Sequence, residues 1–325
     1  MLKLPKKTFK KQALPHIALI TSAVIWGVAG PVIKLTLNDL PVFSFLLFRF
    51  LIVCIILLPY LFIELKRDPI HKKDYLNIVI LSIASQVSIA FIFLGLKFTT
   101  ALDSAIIGVI SPILTFIAGA YFYREKTTKM EEVGIAFTVL GTLLVVMEPL
   151  ITQNHTTEVS KRILGNTLIM LSQFSWPVYI ILSKMMLGQN SRNTNKTSKL
   201  LHLTKFHKKY KPSTITLVSF YIGLAFFIPM AIIESQVVSM PINFTTTSVL
   251  GLFYMALLSS IVAYGLYQWG IKYLETQETA SYAYLTSIFT IPASLILLGE
   301  IPTQIMVVGA VIISVGVVIA EKYKS

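Results

Sequence analysis

The sequence predicts an all-α polytopic membrane protein of ten transmembrane helices, arranged as two inverted five-helix repeats with both termini cytoplasmic. Three observations carry this. Of 325 residues, 55% are hydrophobic and 13% charged, with a mean hydropathy of +0.74, a balance foreign to soluble domains of this length. Ten apolar runs of spanning length follow one another along the chain. The second half also repeats motifs of the first in a fixed register.

A bilayer core of ~30 Å needs about 20 apolar residues per helix. Runs of that kind occupy 16–36, 41–63, 75–97, 101–122, 130–150, 163–187, 213–234, 247–270, 276–298 and 303–320. Pro15, Pro41, Pro149, Pro212 and Pro302 stand at their edges and read as helix ends. Pro31, Pro112, Pro177 and Pro292 fall inside runs, where kinks are expected. Residues 1–15 form a basic cytoplasmic N terminus, and the apolar run behind them outlasts a signal-peptide core, so it reads as an uncleaved first helix.

Orientation follows from the connecting segments. Alternate loops place 21 Lys and Arg on one side, against four (Lys97, Lys161, Arg162 and Lys272) on the other. The positive-inside rule then puts both termini in the cytoplasm of a cell whose inner or plasma membrane holds the chain.

The repeat is read from aligned motifs. A shift of 175 residues matches Gly95 to Gly270, Lys97 to Lys272, Asp103 to Glu278, Glu125 to Glu300, Gly134 to Gly309 and Gly141 to Gly316. Earlier in each half the shift is 150, matching Trp26 to Trp176 and Lys34 to Lys184. The difference equals the length of a polar insertion at 188–212. The chain therefore divides into repeats 16–150 and 151–325, five spans each. Five is odd, so the second repeat enters the membrane from the opposite side. Inverted repeats of this kind typify alternating-access carriers of small molecules.

Other functions lack their residues. Cys54 is the single cysteine, which excludes an internal disulfide or dithiol pair. The net charge of +13 is spread over inter-span segments without a soluble basic domain, so no nucleic-acid partner is expected. No His-Glu-x-x-His, deep histidine or P-loop is present, so neither an intramembrane enzyme, nor a cofactor, nor ATP-driven transport by this chain alone is expected. His202 and His207, five apart, suit a shared metal poorly, and no metal site is assigned. The insertion 188–212 has seven basic residues and no acid; it reads as a solvated flexible linker, with binding to anionic lipid headgroups as the alternative.

The series Gly95-Leu96-Lys97-Phe98, Thr99-Thr100-Ala101, Ser111-Pro112 and Arg124-Glu125-Lys126 is echoed by Gly270-Ile271-Lys272-Tyr273 and Leu298-Gly299-Glu300. With Trp26-Gly27 and Arg49-Phe50, it resembles the EamA-type transporters of the drug/metabolite transporter superfamily, over about residues 16–320. The resemblance implies a ten-helix carrier in which spans 1–4 and 6–9 surround a central pathway while spans 5 and 10 are peripheral. It implies efflux of small polar metabolites such as amino acids; a phosphate-sugar or nucleotide-sugar carrier is the alternative, and a non-transporting scaffold the alternative of another class. Here Thr286-Ser287 replaces a proline-bearing motif of span 9, and span 7 has no counterpart of Arg49.

Arg49 is the sharpest site candidate. It follows Pro41 by eight residues, about 12 Å into the membrane at 1.5 Å per residue. It either anchors a substrate carboxylate or phosphate or satisfies the carbonyls of a broken helix. Pathway candidates are Trp26, Ser85, Gln86, Ser111, Trp176, Tyr179, Ser260, Tyr264, Gln268 and Thr286, which share helical faces or repeat positions. Lys97 with Asp103, and Lys272 with Glu278, are candidates for gating or coupling near the outer face, where the acids would cap helices or form a gate salt bridge. Glu125 and Glu300 are expected at the cytoplasmic ends of spans 4 and 9, and Lys34 and Lys184 are expected to snorkel. The glycine pairs of spans 5 and 10 read as close-packing faces, available to a second protomer in a homodimer.

Overall fold

In a computed structural model the described residues are 6–123, 128–152, 157–188, 207–274 and 276–323. Among them every regular element is helical. The first half contains α1 (Lys6–Thr36), α2 (Val42–Arg67), α3 (Tyr75–Phe98), α4 (Ala101–Gly108), α5 (Ile110–Tyr123) and α6 (Lys129–Thr152). The second contains α7 (Thr157–Met186), α8 (Pro212–Val237), α9 (Thr246–Phe253), a π-helical stretch Tyr254–Ala263, α10 (Tyr264–Ile271), α11 (Thr276–Leu298) and α12 (Gln304–Lys322). Seven of the resulting rods are long and apolar enough to cross a membrane, and three shorter apolar helices accompany them. The chain is a multi-pass membrane protein.

Proline acts where its missing N–H matters. Pro41 precedes α2 and Pro212 opens α8, positions without an intrahelical donor to lose. The fourth apolar run is broken between α4 and α5 at Val109, three residues before Pro112. Pro15 and Pro149, expected at helix ends, lie inside α1 and α6, and the helices also run unbroken through Pro31, Pro177 and Pro292. A proline fixes its own φ at a helical value, so it need not end a helix whose neighbours satisfy the freed carbonyl. Gly299 (φ 64°) closes α11 in the left-handed conformation.

The helices pair in a regular manner: α2 with α8, α6 with α12, α3 with α7, and α1 with α11 and with the α9–α10 rod. Glycine brings several of these pairs close. A Cβ on Gly95 would lie 2.9 Å from the Gly165 carbonyl of α7, and one on Gly270 would lie 2.9 Å from Leu19 of α1. In the α6–α12 seam, Gly134 faces Gly316 and Gly141 faces Gly309. The glycine faces read as close-packing thus meet each other within one chain, because only glycine lets two backbones approach so closely.

Two sequence expectations about polar ends are corrected. Glu300 is not at the far end of the protein from Asp103: its carboxylate accepts from the backbone N–H groups of Ala101 and Leu102, at 3.0 and 2.9 Å, in the first turn of α4. Glu278, whose side chain lies outside the described residues, begins α11, a helix of 23 residues or about 34 Å, so it stands at the end of that helix opposite Glu300 and Asp103. Lys272 precedes it and follows the eighth apolar rod. In the ten-span reading strict alternation places Lys272 on the side of the N terminus, and the count of loop cations there becomes 22 against three. Glu125 lies outside the described residues.

The inserted segment is described only at Gly188 and from residue 207, and the latter end is not a free linker. Glu64 of the last turn of α2 and two acids of the α2–α3 connection, Asp68 and Asp74, hold it and the first turn of α8. Glu64 accepts from Ser213 at 2.6 Å, Asp68 from the Lys211 N–H at 3.0 Å and Thr214 at 2.7 Å, and Asp74 from Tyr210 at 2.6 Å. Burial pushes the Asp68 carboxyl up, but the donors of Lys208, Lys211 and Thr214 more than offset this and hold it below the usual carboxylate range.

Candidate functional site

A cavity of about 220 Å³ lies between the helices, lined from α1, α2, α3, α4, α5, α7, the π-helical stretch, α10 and α11. Among the described residues neither α6 nor α12 contributes to the wall, as the family resemblance implies for spans 5 and 10, and α8 does not either. Gly27 allows α1 to reach α11 here, since a Cβ at that position would lie 2.5 Å from that of Phe289. The conspicuous Trp26-Gly27 pair therefore has two tasks, an aromatic wall and a close helix crossing.

Arg49 is the single charged side chain of the described wall. It is 2% exposed and donates from Nε to Ser260 Oγ at 2.8 Å. Its guanidinium carbon lies 5.5 Å from the ring centre of Phe50 and 5.7 Å from that of Phe93. Among the described residues no carboxylate pairs with it, and no backbone carbonyl accepts from it. The reading in which Arg49 ties up a broken helix thus lacks its carbonyls.

Four aromatic rings form the facing wall. Trp26 and Trp176, matched by the 150-residue shift, meet edge to face at 5.8 Å. Trp26 also lies 5.1 Å from both Tyr264 and Tyr267. Its indole donates to the Ser259 carbonyl at 3.1 Å. That carbonyl belongs to the π-helical stretch, where Ser260 Oγ donates to the Met255 carbonyl five residues back at 2.8 Å. The wider turn thus carries both the residue that fixes Trp26 and the residue that fixes Arg49, consistent with the frequent use of π-bulges at functional positions.

Of the pathway residues expected from sequence, Trp26, Arg49, Ser111, Trp176, Tyr264 and Thr286 line the cavity. The other five stand behind its wall. Ser85 is 3.4 Å from the Tyr264 hydroxyl, Gln86 donates to the Ser219 carbonyl at 3.3 Å, and Gln268 donates to the hydroxyl of Tyr179 at 2.7 Å. Ser260 reaches the cavity only through Arg49. Sequence reasoning missed Phe93, Gln173 and Tyr282, which do line it. Tyr267, one helical turn after Tyr264 on the polar face of the eighth apolar run, lines it as well.

The outer candidates divide. Asp103 is fully buried rather than bathed in interfacial water. It receives Arg162 at 2.8 and 3.1 Å, and the same guanidinium reaches Glu148, also fully buried, at 3.0 Å. Lys97 does not join this cluster; it donates to the Leu37 carbonyl beyond the end of α1 at 3.0 Å. Lys272 is exposed and lies 5.5 Å from the Tyr273 ring centre. Snorkelling fails for Lys184, which is fully buried and donates to the Leu274 carbonyl at 2.9 Å. Lys34 behaves alike, donating to the carbonyls of Thr99 and Leu96.

The family model for "EamA-like transporter family" matches residues 13–147 and 201–321. An "Uncharacterized transporter" of Archaeoglobus fulgidus is 26% identical over 306 residues, covering 93% of this chain and 95% of its own length. A "Probable amino-acid metabolite efflux pump" of Escherichia coli is 24% identical over 303 residues, covering 91% of each chain. A crystal structure superposes with a TM-score of 0.60 at 14% identity, covering 95% of this chain and 97% of that one, which shows a shared fold.

Proposed function

Since the chain belongs to the EamA-like transporter family, we propose that it is a secondary carrier exporting a small carboxylate-bearing metabolite of the amino-acid class by alternating access around the Arg49 cavity. One observation carries the substrate class: the cavity wall holds a single cation, buried and without an acid beside it. A guanidinium fork suits a planar carboxylate through two parallel hydrogen bonds. The faces of Trp26, Trp176 and Tyr264 suit the apolar body or ammonium group of such a ligand. The likeness to the Escherichia coli amino-acid metabolite efflux pump supports both the class and the outward direction. A sugar phosphate or nucleotide sugar carries more negative charge than one Arg can balance, so that reading is second.

In this proposal Trp26, Arg49, Ser111, Trp176, Tyr264 and Thr286 touch the substrate, while Ser85, Gln86, Tyr179, Ser260 and Gln268 hold the wall. The Asp103–Arg162 pair closes one end of the pathway as a gate. Ten spans form two inverted repeats, 16–150 and 151–325. The helix pairing supports this, because exchanging each helix for its counterpart turns α3–α7 into the contact of the α9–α10 rod with α1, and leaves α2–α8 and α6–α12 unchanged. Loop charge supports cytoplasmic termini in an inner or plasma membrane, with the basic 188–212 segment against anionic headgroups. The lipid-facing sides of α6 and α12 remain the proposed homodimer surface.

Proteoliposomes holding the purified protein test the function with labelled amino acids, sugar phosphates and nucleotide precursors, with and without a pH gradient. Saturable movement of an amino-acid-class carboxylate is expected. Arg49→Lys keeps the charge but loses the fork, so apparent affinity should fall roughly 5- to 150-fold, and Arg49→Gln should be worse. Unchanged affinity per folded carrier in both variants would remove Arg49 as the anchor. Saturable transport of phosphorylated sugars alone would overturn the substrate class.

A further inference from the structure

The dock that holds the second half to the α2–α3 connection contains more than acids. His71, Asp74 and His207 each offer a ligand atom, and these atoms lie within 4.8 Å of one another. The two imidazoles stack, with ring centres 4.8 Å apart and planes 14° from parallel. Asp74 is fully buried beneath them. Its Oδ2 is fixed by the Tyr210 hydroxyl at 2.6 Å, while Oδ1 faces the His207 ring nitrogen Nδ1 at 3.1 Å.

We propose that His71, Asp74 and His207 bind a divalent transition-metal ion of the Zn²⁺ class. Two imidazoles and one carboxylate are a borderline-soft donor set of three, which suits Zn²⁺, Co²⁺ or Ni²⁺ with water in a remaining position and does not suit Mg²⁺ or Ca²⁺. Ligand bonds of ~2.0–2.2 Å put donor atoms about 3.3 Å apart, so the widest pair must close in by up to about 1.5 Å. Both histidines are exposed, which leaves their side chains room to turn. His71 Nδ1 accepts from the Lys73 N–H at a long 3.4 Å, which steadies the local turn and leaves Nε2 as the nitrogen for an ion. Tyr210 and the His207 backbone N–H, which donates to Asp74 at 3.1 Å, orient the carboxylate as outer-shell partners do in metal sites. The neighbouring Lys208 does not oppose an ion, because its ammonium is paired with Asp68 and the Pro69 carbonyl.

The ligands come from the two sides of the dock, so the ion staples the α2–α3 connection to the segment that leads into α8. Occupancy should therefore resist any relative movement of these parts. Full-length protein in detergent or nanodiscs, titrated with Zn²⁺ and with Mg²⁺ as control, tests the site by calorimetry and by the visible spectrum of Co²⁺. One saturable Zn²⁺ site is expected, with tetrahedral or five-coordinate Co²⁺ bands displaced by Zn²⁺, and no Mg²⁺ binding. His71→Ala and His207→Ala should each weaken binding at least about tenfold and abolish the rise in melting temperature that Zn²⁺ gives the parent protein. Metal-free His71→Ala should melt near the parent, and His207→Ala somewhat lower because buried Asp74 loses a side-chain partner while keeping the Tyr210 hydroxyl and the His207 backbone N–H; that measurement checks the folding of both. No saturable binding below about 100 µM, or binding indifferent to both substitutions, would overturn the proposal.

Discussion

Lys184 Nζ donates to the carbonyl of Leu274 at 2.9 Å, from a side chain with no exposed surface. In the first half Lys34 donates to the carbonyl of Thr99. Residue 184 follows 34 by the shorter shift and 274 follows 99 by the longer one. Each lysine bonds a carbonyl just past the C-terminal end of another rod, Thr99 after α3 in one case and Leu274 after α10 in the other, where the chain has left the helix and lacks intrahelical donors.

Lys184→Met should leave a buried carbonyl without its donor and lower stability by about 1–3 kcal/mol. Lys34→Met should cost less, because Lys34 is only partly buried. Thermal unfolding in detergent measures both, and an unchanged melting temperature for Lys184→Met would show that the bond contributes nothing.

Arg162 serves two fully buried carboxylates, Asp103 and Glu148. Arg162→Met should therefore cost about 3–5 kcal/mol, the usual penalty for stranding buried charge. Asp103→Asn keeps a polar acceptor and should cost less. Yield of folded protein and melting temperature read the order of the two. A milder effect for Arg162→Met than for Asp103→Asn would contradict the shared-cation geometry.

The glycine seam makes a contrast within one protein. A Cβ on Gly134 would meet the Ala320 nitrogen and Gly316 carbonyl at 2.5 Å, whereas one on Gly265 would meet nothing within 4 Å. Gly134→Val should lower stability by at least about 1–3 kcal/mol, since two backbones must part. Gly265→Ala should be neutral or slightly stabilising, because alanine favours the helix by roughly 0.8–1.0 kcal/mol. Equal behaviour of the two variants in a melting assay would mean that α6 and α12 are not apposed.

Orientation is open to single-cysteine labelling in a Cys54→Ser background. Ile242→Cys should react with a membrane-impermeant maleimide in intact cells. Lys209→Cys and Lys272→Cys should react only after permeabilisation. Labelling of Lys272→Cys from outside would break the alternation on which the inverted repeat depends.

Much of the fold was legible because lipid imposes a local requirement. A helix in hydrocarbon must be apolar for about 20 residues, so the spans appear as runs, and the charge of their loops is visible without knowing any contact. Arg49, Trp26 and Trp176 were legible for the same reason, being out of place in such a run. The five expected pathway residues that stand behind the wall mark the limit. Ser85, Gln86 and Gln268 sit on polar stripes, and a stripe that faces a cavity has the same spacing as one that bonds a neighbouring helix.

The sequence by itself determined the membrane class, the helical runs, the duplicated motifs and the buried cation, all of which depend on residues close together in the chain. Only the tertiary structure decided which way each helix turns and what meets across it. It brought Glu300 to the first turn of α4 and gave Arg162 to Asp103. It opened the π-helical turn that carries Ser259 and Ser260, and it set His207 beside His71. His202, whose spacing to His207 suits a shared metal poorly, lies outside the described residues. Hydropathy is a property of each residue alone and accumulates along the chain. The rotation of a helix about its axis depends on the shapes of all its neighbours at once, and a single helix carries no record of them.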